Sequence, residues 1–161
     1  MKTIHLELLL TLEWERIDTV RQAVALCLQA AFDNADLESS LAMVSAELLE
    51  NAVKYGKSSA QIRLTVEELP DGVQVVVRNP VEEASPHSDV LKQRVAWLGN
   101  FSDAQSAYTA ALERAYDNPG AGGLGLARIA HEGGCSVRCE TSPSGEVTVS
   151  AWRQRADRAV A

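Results

Sequence analysis

Glu47 and Asn51 stand four residues apart in the run Glu47-Leu-Leu-Glu-Asn51-Ala-Val-Lys-Tyr-Gly56. In a helix that spacing puts a carboxylate and a carboxamide on one face, about one turn apart, and Lys54 continues the face. An amide oxygen is a hard ligand suited to Mg²⁺, an ion that keeps several of its own waters. A carboxylate beside it can take the proton of an attacking hydroxyl or water. The pair therefore suits a metal-bound phosphate ligand, although a Glu and an Asn on a helix surface are more often inert.

Two further runs carry chemistry. In Gly120-Ala-Gly122-Gly123-Leu124-Gly125-Leu126 the glycines free the backbone to approach a phosphate. The helix expected to follow offers unpaired N–H groups and a positive dipole end to the same anion. No Lys-Ser/Thr follows, so this is not a P-loop, and the run does not follow the first strand as a dinucleotide fingerprint would. A mobile loop opening a glycine-rich helix accounts for the same residues. The third run, Val75-Val-Val-Arg-Asn79-Pro80, ends a strand. The Asn79 carboxamide has an oxygen to accept from an adenine amino group and an NH₂ to donate to a ring nitrogen. A turn residue before proline is the plainer reading of Asn79 by itself.

The elements that must position these residues follow from hydrophobic period. Residues 3–12 alternate weakly and predict a strand. Ile17, Val20, Val24, Leu28 and Ala31 recur at three and four, which predicts an amphipathic helix broken at Asp33-Asn34. Leu37, Leu41, Val44, Leu48 and Ala52 trace a second helix that stops at Gly56. Period two returns over residues 60–67, Pro70-Asp71-Gly72 is turn chemistry, and Val73, Val75 and Val77 form the returning strand. Residues 81–88 are polar and irregular. Two helices are expected near 89–98 and 103–116, the second opened by a Ser102/Gln105 capping box. Helix-like residues 124–132 and two strands, 135–139 and 147–151, close the chain. The order β-α-α-β-β-insert-α-β-β predicts a two-layer α/β sandwich: a mixed, mostly antiparallel sheet covered on one face by helices.

With 161 residues and 46% hydrophobic content the chain reads as one domain over 1–155, with an insert at 81–121 and a C-terminal tail at 156–161. A net charge of −7, with no Lys/Arg cluster, makes it a poor candidate for gripping nucleic acid. The longest apolar stretches, Leu8–Leu12 and Val24–Leu28, are too short to span a bilayer, and His5 with Glu7 interrupts any signal-peptide core. Cys27, Cys135 and Cys139 form no disulfide framework or zinc spacing and read as reduced, half-buried thiols of a cytoplasmic protein. His5, His87 and His131 have no metal-ligand spacing.

Taken together and in this order, the runs resemble the GHKL ATPase superfamily, whose ATP-binding fold is shared by histidine kinases, Hsp90-type chaperones, type II topoisomerases and anti-sigma-factor serine kinases. Glu47 to Gly56 resembles its N box, and Gly122-Gly-Leu-Gly-Leu126 its second glycine box. A histidine kinase would need a phospho-accepting His on an earlier helix, whereas the early His5 falls in a strand. Chaperone and topoisomerase relatives carry large further domains. The chain is therefore most similar to the anti-sigma-factor kinases and, through Arg78-Asn79-Pro80-Val81 and the helical insert, to SiaB-like protein kinases.

The resemblance implies a Bergerat-type fold and an ATP- and Mg²⁺-dependent kinase that phosphorylates Ser or Thr on a STAS-type antagonist protein in a bacterial partner-switching pathway. It implies that Asn51 holds Mg²⁺, that Glu47 orients or deprotonates the acceptor hydroxyl, and that Gly120, Gly122, Gly123, Leu124 and Gly125 wrap the phosphates. Lys54 is a weaker phosphate contact, Asn79 the adenine contact, and residues 81–121 the ATP lid. A sigma factor or another regulator, and a homodimer, are implied as partners. The family's first glycine box, Asp-x-Gly-x-Gly, is missing, and Asn79-Pro80-Val81 stands in its place. A non-catalytic module that sequesters a signalling partner, with or without nucleotide, is the alternative.

Overall fold

Changes of hydrophobic period fall at element boundaries in the computed structural model, which describes residues 4–11, 13–82 and 86–155. Strand β1 (His5–Leu10) is followed by a 3-10 turn (Trp14–Arg16), helix α1 (Ile17–Ala31) and helix α2 (Ala35–Tyr55). Strands β2 (Ile62–Leu69) and β3 (Gly72–Pro80) form the expected hairpin. Helices α3 (His87–Leu98) and α4 (Ala104–Asp117) make up the insert, and α5 (Leu124–His131), β4 (Ser136–Thr141) and β5 (Glu146–Gln154) complete the order. Thr3 and Leu12 of the first expected strand, residues 83–85 of the irregular stretch and the 156–161 tail lie outside the described residues.

The sheet order is β1-β2-β3-β5-β4, and every neighbouring pair is antiparallel. The expected mixed sheet is thus antiparallel throughout. A helix hairpin between β1 and β2 returns the chain in the reverse direction, and β4 pairs with β5 alone instead of beside a parallel neighbour. One face of the sheet is apolar: Ile62, Leu64 and Val66 of β2, Val73, Val75 and Val77 of β3, and Val147, Val149 and Ala151 of β5 are all buried. Against it pack Leu41, Val44, Leu48 and Leu49 of α2 and Leu126 and Ile129 of α5, while Val24 and Leu28 seat α1 in the same core. Helices on one face of one sheet make a two-layer sandwich.

Local chemistry sets the ends of α2. Asn34 accepts from the Leu37 N–H at 3.0 Å, and the Glu38 carboxylate accepts from the Asn34 N–H at 3.2 Å. Two of the helix's orphan donors are thereby satisfied reciprocally. At the other end Gly56 must lack a side chain, because a Cβ there would lie 2.6 Å from Asn79 Nδ2 and against the Ala52 carbonyl. Pro80 sits where β3 has run past β2 and pairs only with β5, so its missing N–H interrupts no inner ladder.

The insert begins differently from its expected cap. Asp103 caps α4, accepting from the Ser106 N–H at 2.7 Å, while the Ser102 hydroxyl only donates to Asp103 Oδ2 at 3.2 Å. A full carboxylate charge outcompetes a hydroxyl at the positive end of a helix. Of the cysteines, Cys27 is exposed, Cys139 half-buried and Cys135 buried ahead of β4; none is in a disulfide. No helix among the described residues is long and apolar enough to cross a membrane.

Candidate functional site

Helix α2 carries Glu47 into the seam with α5. The Glu47 side chain is only 14% exposed. Its Oε1 accepts from Arg128 Nη1 of α5 at 3.0 Å. Its Oε2 occupies the space a Cβ on Gly125 would need, so Gly125 is where the first turn of α5 comes closest to the carboxylate. One oxygen of the Glu47 carboxylate is therefore held by a guanidinium, while the other lies against the first turn of α5 at Gly125.

Arg128 is shared. Its Nε donates to Glu132 Oε2 at 2.8 Å, and the Tyr108 hydroxyl of α4 donates to Glu132 Oε1 at 3.1 Å. The Arg128 hydrogen bond, more than any other influence, keeps the Glu132 carboxyl below its ordinary range. Glu50, one turn along α2, shows the opposite shift. Burial first, and then the Glu47 charge, push its carboxyl upward. No hydrogen bond or ion pair engages Glu50 among the described residues.

Asn51 follows Glu47 by one turn, and its Nδ2 is buried with no hydrogen-bond partner among the described residues. An unsatisfied buried NH₂ donor is costly, so a hydrogen-bond acceptor brought from outside the fold would be favoured there. Asn79 is 5% exposed on the inner face of β3, its Nδ2 making only a 3.4 Å contact with the Pro80 carbonyl. Asn79 Nδ2 also lies at the C-terminal end of α2, where a Cβ on Gly56 would fall 2.6 Å from it.

The glycine run divides into two parts. Gly120 is exposed and its N–H is taken by the Asn118 side chain at 3.2 Å, with the Ala121 N–H on the Asn118 carbonyl at 2.9 Å. Gly122 and Gly123 adopt φ of 66° and 93°, left-handed values that favour glycine, and turn the chain into α5. The first α5 backbone bond runs from the Ala127 N–H to Gly123, so helix geometry leaves the N–H groups of Leu124, Gly125 and Leu126 without intrahelical partners. Lys54 is exposed, with its ammonium 5.2 Å from the Tyr55 ring centre.

Two arginines escaped the sequence analysis. Arg128 lies one turn beyond the glycine run. Arg94 of α3 lays its guanidinium on the loop, where a Cβ on Gly122 would fall 2.7 Å from Nη2. Arg94 Nη2 donates to the Ala121 carbonyl at 2.9 Å, Nη1 donates to the Tyr55 hydroxyl, and the guanidinium sits 5.3 Å from the Tyr55 ring centre. The available signal was an arginine on the same stripe of α3 as buried Leu91 and partly buried Leu98. Of the cavities of about 720, 490 and 420 Å³, the second is walled in part by Glu47 and Arg128, and none of the three is lined by Asn79 or the glycine loop. Arg94 and Tyr55 cover the loop instead.

The insert helices pack on the sandwich through α5, β4 and the core. Leu91 is buried, Val95 and Leu98 pack on the core, and Tyr108 stacks on His131 at 5.1 Å. Leu112 and Tyr116 remain exposed.

The fold is a two-layer α/β sandwich in which Glu47 of α2 meets the glycine-led start of α5, with the buried Asn51 amide one turn further along α2. No protein-family model and no curated protein matches the chain. Among solved structures it is similar to a chain in the crystal structure of the SiaB-SiaC complex from Pseudomonas aeruginosa. The match has 18% identity and a TM-score of 0.74, covering 94% of this chain and 89% of that one. A likeness at this identity is one of fold.

Proposed function

We propose that this protein is an ATP- and Mg²⁺-dependent serine/threonine protein kinase whose acceptor is a STAS-type antagonist protein in a bacterial partner-switching circuit. The observation that carries the reading is the placement of Glu47 Oε2 over Gly125, with the buried, unpartnered amide of Asn51 one turn away. The likeness to a chain crystallised in a two-protein complex supports a protein as the acceptor.

The residues fit the groups the reading requires. Asn51 would hold Mg²⁺, the free N–H groups of Leu124, Gly125 and Leu126 would receive phosphate oxygens, and Asn79 would meet the adenine edge. Bound Mg²⁺ supplies neutralisation of phosphate charge. Glu47 orients the acceptor hydroxyl and takes its proton. The acceptor oxygen bonds to the γ-phosphorus as the bond from that phosphorus to the bridging oxygen of ADP breaks.

The test is thermal unfolding with Mg²⁺, Mg²⁺-ATP and Mg²⁺-GTP, followed by phosphotransfer to a STAS-type protein. Ligand at 100 times its Kd adds about 2.7 kcal/mol, a melting shift of roughly 5–10 °C. Glu47→Ala is expected to keep the ATP shift and lose transfer; Asn51→Ala is expected to lose both. Transfer by purified Asn51→Ala sinks the assignment. A second reading, a binding module that sequesters its partner, is favoured by Arg94 lying on the glycine loop and by the absent first glycine box. It predicts no shift with any nucleotide and no phosphate on the partner.

A further inference from the structure

Glu47 has a space on its other side. A cavity of about 490 Å³ opens between α1, α2 and α5, and its lining includes Trp14, Arg21, Met43, Glu47, Glu50 and Arg128. The glycine loop lines none of it. We propose that this groove seats the acceptor segment of the protein substrate, a stretch that carries a Ser or Thr beside a Lys or Arg, with Glu50 reading the basic neighbour. The inference rests on the kinase reading above and goes beyond it by naming where and how the acceptor is recognised.

Position is the first argument. A hydroxyl that gives its proton to Glu47 has to arrive from a side the phosphates do not fill, and the carboxylate is itself part of this groove's wall. The larger cavity, of about 720 Å³, shares Trp14 but not Glu47. Charge is the second argument. Arg21 is tied to Asp18 at 2.8 Å, and Arg128 is tied to Glu47 and Glu132. Both bases of the groove are thus neutralised locally, and so are two of its three acids. Glu50 is the acid left without an ion pair, half-buried beside Glu47, where a cation from outside relieves the repulsion between the two carboxylates. Shape is the third. Trp14 is 53% exposed at the rim and Met43 lies below it, an aromatic and a pliable thioether against which a peptide's apolar and cationic side chains pack well.

The full chain, with Mg²⁺ and γ-labelled ATP, is offered a positional-scanning library of Ser/Thr peptides, and Mg²⁺-ATP stabilisation is measured on the same preparation. The expected result is an ATP shift together with about fivefold faster labelling when Lys or Arg flanks the acceptor, the scale of a half-exposed ion pair. Glu50→Gln is expected to erase that preference, and Glu50→Lys to turn it toward Asp and Glu, a reversal that simple destabilisation cannot produce. Labelling with no basic preference, or a preference unchanged in Glu50→Lys, overturns the inference and leaves the kinase reading standing. An ATP shift with no labelled peptide also overturns it, since the groove then does not read an isolated segment. No ATP shift removes the kinase reading first, and this inference with it.

Discussion

Glu47 Oε2 fills the volume that a side chain at residue 125 would claim, so the carboxylate of α2 and the first turn of α5 are in contact only because residue 125 is glycine. The atom in the way is the end of a flexible side chain, not backbone. Gly125→Ala should therefore fold with stability unchanged or raised, by at most about 1 kcal/mol from helix propensity, while Glu47 is turned from its place. Gly122→Ala should behave in the opposite way: its φ of 66° and the Arg94 guanidinium both resist a Cβ, and a loss of about 1–2 kcal/mol is expected. Urea unfolding of the two variants separates them; on the proposed kinase reading, Gly125→Ala is expected to lose phosphotransfer despite its intact fold.

Arg94 straps the insert to the loop through the Ala121 carbonyl and to the end of α2 through the Tyr55 hydroxyl. Arg94→Met keeps the aliphatic stem and removes both donations. A loss of about 1–2 kcal/mol is expected. Hydrogen exchange in the peptide spanning residues 118–126 should accelerate; protection equal to the parent protein would show that the strap holds nothing.

The length of α2 depends on a cap far from the site. Asn34→Ala removes the side-chain acceptor for the Leu37 N–H and leaves the backbone bond from residue 34 to Glu38 in place. About 1 kcal/mol should be lost, read as a drop of roughly 2–4 °C in Tm. Asn34→Asp should retain most of it.

The cysteines differ in a way pH reveals. Burial raises the Cys135 thiol from an ordinary 9.0 to about 11. Between those values the unfolded chain has released a proton that the native state keeps. The stability this group contributes is present in full below about pH 9 and falls as pH rises to about 11. Cys139 shifts the same way, also through burial. In native protein at pH 8, Ellman's reagent should titrate one fast thiol, exposed Cys27, and two slow ones; a fast second thiol contradicts the burial.

What was legible in the sequence is what depends on neighbours along the chain. Period two in residues 62–66 and 73–77 and the three-four recurrence from Leu37 to Ala52 are local consequences of burying one face, and they place the strands, helices and hairpins correctly. Glu47 and Asn51 could be paired from their spacing because a helix converts four residues into one turn. The glycine run marked a loop leading into a helix, and the structure adds that Gly122 and Gly123 make the turn with left-handed angles.

Only the tertiary structure decided which distant groups meet. The Arg128–Glu47 pair spans 81 positions and the Arg94–Ala121 bond 27, and nothing in the spacing of either residue encodes them. The strand directions were decided the same way, by how a helix hairpin folds back over the sheet. The cap at Asp103 displaced the Ser102 pattern because two acceptors competed for one helix end and the charged one won. Side-chain periodicity reports which face is buried; it does not say what that face is buried against, and the chemistry of this site lies in the answer to that second question.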